Sequence, residues 1–90
     1  MITPHQTRAA RGLLDWSQEK LAEVAGVGLV TVRHVEAGRH EPRRATLEVI
    51  RRAFESAGVE FIDENGGGPG VRLQKRQKKM KSKEDRQRGR

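Results

Sequence analysis

Four residues in one short stretch combine two kinds of surface chemistry. In GVGLVTVRHVEAG, Gly26 to Gly38, Leu29 and Val30 offer apolar groups, while Arg33 and His34 offer nitrogen donors and an acceptor one turn later. If the stretch is helical with Val32 and Val35 turned inward, 100° per residue puts Val30, Arg33, His34 and Ala37 on the opposite face. Leu29 then lies at the exposed N-terminal end. Apolar groups facing outward need a partner in a chain that is only 33% hydrophobic. Three cations follow, Arg39, Arg43 and Arg44, flanking Pro42. They suit a run of anions that they would hold without discriminating its sequence. Gln18 opens the preceding helix, where unpaired backbone N–H groups and a positive partial charge suit a phosphate. The plainer alternatives are that Leu29 and Val30 pack on a neighbouring helix, Leu29 more readily than Val30, and that Gln18 is simply solvated.

Other chemistries find no support in the residues. No nucleophile–base pair, carboxylate pair or metal cluster emerges, so no catalytic residue is assigned and an enzyme is not expected. The chain has no Cys, which removes disulfides and cysteine metal sites. His5, His34 and His40 share no helical face, so no metal is expected. NGGGPG, residues 65–70, lacks the Gly-Lys-Ser/Thr ending of a phosphate loop. With only one Trp, two Phe and no Tyr, stacking on single-stranded RNA is poorly served.

Four helices are needed to hold these groups in place. The first opens at Thr3 with Pro4 in the first turn and Gln6 completing a capping box, and runs to about Leu13. Trp16 packs before the second helix, which Ser17 caps and Gly26 ends in a left-handed conformation. The third spans about Leu29 to Ala37 and stops at Gly38. The fourth runs from about Ala45 to Ala57, with Leu47, Ile50, Ala53, Phe54 and Ala57 at three- and four-residue steps and Gly58 beyond. Val59 to Ile62 and Val71 to Leu73 alternate as two short strands of a hairpin.

Helices at Ser17–Gly26 and Gly28–Ala37, joined by a tight turn, match a helix-turn-helix. Ala22 permits a close crossing, and Val27 fills the corner. The stretch WSQEKLAEVAGVGLVTVRHVEAGRHEP resembles the Cro/repressor-like (XRE) helix-turn-helix family. The shared features are Ser17-Gln18, Leu21-Ala22, Ala25-Gly26-Val27, Thr31-Val32, Glu36-Ala37-Gly38 and Pro42, with Arg8 and Arg11 ahead of them. The resemblance covers about residues 5–58. It implies a mainly α, four- to five-helix lambda repressor-like domain whose third helix enters the major groove of double-stranded DNA. There Leu29 and Val30 meet thymine methyl groups, and Arg33 and His34 reach base acceptors or phosphates. The DNA-binding set expected is Gln18, Gly28, Leu29, Val30, Thr31, Arg33, His34, Arg39, Arg43 and Arg44. The resemblance also implies an ion pair between Arg11 and Glu36. One departure stands out: Gly28 replaces a Ser or Thr cap common in the family, so no hydroxyl is offered to a phosphate there.

Charge divides the chain. Residues 74–90 hold nine Lys or Arg against Glu84 and Asp85, whereas residues 1–73 hold ten of each sign. The basic excess therefore belongs to the tail, which is expected to be disordered when unbound. The organisation expected is a DNA-binding domain at 1–58, a hairpin at 59–73 and the tail at 74–90. Val59, Phe61, Val71 and Leu73 are the candidates for a homodimer contact, because so short a hairpin is marginal alone. The expected function is a sequence-specific transcriptional repressor; the antitoxin of a toxin–antitoxin pair, with a toxin as protein partner, is the alternative. No cofactor or small-molecule ligand is expected. No apolar run reaches membrane-span length and no signal-peptide core stands at the N-terminus, so a cytoplasmic location is expected.

Overall fold

The computed structural model describes residues 1–39 and 41–74. Helix α1 covers Pro4–Leu14, α2 Gln18–Ala25, α3 Leu29–Ala37 and α4 Arg44–Ser56, followed by strands β1 (Val59–Ile62) and β2 (Gly70–Leu73). The fold is mainly α with a two-stranded antiparallel sheet. His40 and the basic tail from Lys75 onward lie outside the described residues.

The helix ends follow from local chemistry. The Thr3 hydroxyl accepts from the Gln6 backbone N–H while the Gln6 side chain accepts from the Thr3 N–H, closing a reciprocal cap. Helix α1 runs one residue past Leu13 and carries Gly12 inside it. It stops because Asp15 adopts a left-handed conformation (φ 59°), from which its N–H reaches the Arg11 and Gly12 carbonyls. Gly26 and Gly38 end α2 and α3 in the same left-handed way. Helix α4 starts at Arg44, a residue ahead of Ala45, and ends at Ser56.

One apolar cluster joins every element. Leu21, Val32, Ile50, Phe54 and Val59 are fully buried, with Val35, Leu47 and Phe61 beside them. The Phe54 ring sits 5.7 Å from that of Trp16 in a stacked arrangement and 6.0 Å from that of Phe61. Trp16 is therefore a packing residue. Helix α2 has only eight residues, too few to persist alone. Buried Leu21 and Ala22 tie it to α3 and α4.

In the hairpin, Val59 faces Leu73 and Phe61 faces Val71. Opposed residues share a face, so all four side chains lie on the side turned toward the helices. Val59 and Phe61 are thereby buried in the domain's own core, at 0% and 8% exposure. The apolar face of β1 closes over α4. Val71 is half-buried, and Leu73 is 46% exposed.

Candidate nucleic-acid interface

The outward face of α3 is built by its inward one. Val32 and Val35 are buried at 0% and 4% exposure, which fixes the rotation of the helix. Val30 stands 58% exposed on the far side, with Arg33 and Ala37 also exposed and His34 partly so. Leu29 divides its surface: it packs partly against the core and shows the remainder at the helix start.

Two of the four helices leave their N-termini open. Thr3 and Ser17 cap α1 and α2 with side-chain oxygens, Ser17 Oγ accepting from the Lys20 N–H at 2.9 Å. Gly28 and Arg43, at the same positions ahead of α3 and α4, make no side-chain cap. Neither α3 nor α4 has an acidic residue in its first turn. Their amino ends therefore keep unneutralised N–H groups and positive partial charge. Exposed Arg43 and Arg44 stand at the α4 end, and exposed Arg39 follows α3. Between these helices lies a groove of about 350 Å³ that brings Thr31, His34 and Val35 next to Pro42, Arg43 and Thr46, with Glu41 on its wall.

Glu36 is the polar centre behind this face. Its carboxylate, only 4% exposed, accepts from Arg11 Nε at 2.6 Å and Arg11 Nη2 at 2.9 Å. It also accepts from Gln18 Nε2 at 3.0 Å. The hydrogen bond to Glu36 raises the Arg11 pKa above the ordinary arginine value, against the opposing effect of partial burial. Arg11 Nη1 also donates to the Trp16 carbonyl at 2.9 Å, and Arg8 donates to the Glu36 backbone carbonyl. One carboxylate thus links α1, the start of α2 and the end of α3. Gln18 lends one amide hydrogen to this network and keeps its second hydrogen and its carbonyl for other contacts.

Three connections were not legible in spacing. Gln18 reaching Glu36 depends on the α2–α3 crossing. Arg8 caps the last turn of α3 from a different helix. Gln6, a capping residue by sequence, also donates to the Ile62 and Gly70 carbonyls at 3.2 and 2.9 Å and pins the hairpin to α1. Its burial, at 4% exposure, would have been the only clue. Among the described residues no group of His, Asp and Glu gathers at metal-binding distance. Nor, among the described residues, is any helix long and apolar enough to cross a membrane.

A helix-turn-helix family model matches residues 8–61, from the middle of α1 through most of β1. No curated protein matches the chain.

Proposed function

Because this chain belongs to the XRE-type, lambda repressor-like helix-turn-helix family, a family of DNA-binding transcription regulators, we propose that it is a sequence-specific repressor acting as a homodimer on double-stranded DNA. The observation that carries this reading is the exposed Val30–Arg33 face of α3, set by a fully buried opposite face. An exposed valine beside an arginine suits a major groove. There the methyls meet thymine C5-methyl groups and the guanidinium meets guanine O6 and N7. Leu29, Thr31 and His34 border that contact. Gln18, Gly28, Arg39, Arg43 and Arg44 take the flanking phosphates, using side chains and the open helix ends. Two copies present two such helices to half-sites about 34–36 Å apart. Repression needs only occupancy of a promoter-overlapping site, which this binding provides.

The test is selection of bound duplexes from random DNA, followed by affinities for single-base variants of the winner. A palindromic consensus is expected. Arg33→Ala should relax preference at one base pair in each half-site, for a loss of about 1–3 kcal/mol on the best sequence. Arg43→Ala should weaken all sequences alike. Unchanged preference profiles for both Arg33→Ala and His34→Ala would place the reading face elsewhere.

A further inference from the structure

The exposed face of α3 is short of groups that tell one pyrimidine from another. In the major groove thymine offers an acceptor, O4, and a methyl group at C5, whereas cytosine offers a donor, its N4 amine. Separating the two takes a carboxylate that accepts from N4 or a donor dedicated to O4. Separating their paired purines takes an amide that spans adenine N6 and N7. Helix α3, LVTVRHVEA, has no Asn, Gln or Asp. Its one carboxylate, Glu36, is buried and filled by Arg11 and Gln18. Glu41 is exposed, but the groove it walls opens toward Thr31 and Val35, about 100° or more round the helix from Val30. Gly28, Leu29 and Val30 carry no polar side-chain atom. Thr31 and His34 can each donate or accept, so they serve O4 and N4 alike.

What this face does carry is a methyl reader beside a guanine reader. Val30 is 58% exposed, more than Leu13, Val24 or Val49, the other outward-facing large aliphatics of the helices. Arg33 is exposed one turn later. Unlike Arg8, Arg11, Arg51 and Arg72, it makes no hydrogen bond or ion pair among the described residues. Residues three apart on a helix have Cβ atoms about 5–6 Å from each other. Adjacent bases on one strand are about 3.4 Å apart, so the two side chains reach neighbouring bases. A guanidinium bonded to guanine O6 and N7 lies in the plane of that base. The C5-methyl of the pyrimidine 5′ to the guanine then stands against its flat side, where Val30 can cover it.

We infer that α3 reads a 5-methylpyrimidine followed by guanine, and that thymine and 5-methylcytosine are equivalent to it. Resting on the DNA-binding reading above, this inference names the step recognised and a way of regulating its occupancy. TG and methylated CG are one ligand, and unmethylated CG, which lacks the methyl, is a poorer one. Cytosine methylation therefore opens a CG-containing site to this protein. The face measures a methyl group rather than a base, because nothing on it separates O4 from N4.

The test uses the full chain and the duplex that wins selection from random DNA. Replacing each thymine by uracil in turn removes one methyl from the groove and leaves every hydrogen-bonding group in place. Uracil 5′ to a guanine should weaken binding about fourfold per half-site, the equivalent of one methyl group left in water. Exchanging that T·A pair for C·G should cost at least as much. Placing 5-methylcytosine opposite guanine there should restore the affinity of the thymine duplex. Val30→Ala should shrink the thymine–uracil and methylcytosine–cytosine differences together while keeping native Trp16 fluorescence. The inference would be overturned by a winning duplex with no TG step, by uracil tolerated 5′ to every guanine, or by a 5-methylcytosine duplex bound no better than the cytosine one. In each of those cases an operator is still bound and the DNA reading stands. Failure to enrich any duplex would defeat the DNA reading and this inference together.

Discussion

Glu36 is a buried carboxylate whose two oxygens are filled from two directions. Arg11 takes both, and Gln18 shares one of them. Removing such a group leaves a guanidinium half out of water with no counter-charge, which is more costly than the pair itself is stabilising. Glu36→Ala should therefore lower the unfolding free energy by about 3 kcal/mol, read by urea denaturation with Trp16 as the fluorescent probe. Replacing Arg11 and Glu36 together with apolar residues should cost less than the two single changes added. An additive double variant would show that the residues act independently. The same carboxylate orients Gln18, so Glu36→Gln should weaken binding across sequences without altering which base pairs are preferred.

The helices differ in how much their local sequence helps them. Gly12 lies within α1, and a Cβ built there meets nothing within 4 Å. The helix carries a flexible residue where none is required. Gly12→Ala should raise stability by about 0.5–1 kcal/mol, measured as a shift in urea midpoint at constant slope. Gly26 is the contrary case: its surroundings are equally open, but its φ of +73° disfavours any side chain, so Gly26→Ala should destabilise. In the hairpin, the hydrogen bond from Arg72 holds the exposed Glu60 carboxyl below the ordinary carboxylate range. A lowered native pKa means that the contribution of the pair is present above the unfolded value and lost as pH falls through the native one. The stability gap between wild type and Glu60→Gln should thus be constant from neutrality to about pH 5 and close below about pH 4. A gap that widens on acidification would contradict the pairing.

For the whole molecule, charge and recognition are separable. Residues 1–73 carry equal numbers of acidic and basic groups, and the excess of +7 sits in residues 74–90. On the proposed reading the folded part therefore binds DNA through placement of α3 and the exposed Arg39, Arg43 and Arg44. The tail supplies charge without bases to read. Deleting residues 75–90 should lower affinity for non-specific duplexes and flatten the dependence of log K on log salt, since each phosphate neutralised contributes a slope of about −0.9. The preference among operator variants should be unchanged. A salt slope unaffected by truncation would mean that the tail makes no contact in the complex.

The sequence alone determined the helix-turn-helix. Caps at Thr3 and Ser17, left-handed glycines at 26 and 38, and inward valines at 32 and 35 are short-range signals, set by backbone conformation and helical period within a few residues. They place Val30 and Arg33 outward without reference to the remainder of the chain. Tertiary structure alone decided what happens between distant segments. Spacing assigned Val59 and Phe61 to one side of a strand, but alternation does not say whether that side meets α4 or a second chain. Within the domain Phe61 seats against Phe54 and under the Arg51 guanidinium, 5.2 Å from its ring centre. Gln6 likewise reads as a cap from its three-residue distance to Thr3, and its hold on Ile62 and Gly70 spans more than fifty residues. Such contacts depend on how the helices and the hairpin close on one core, and that closure is a property of the packed whole.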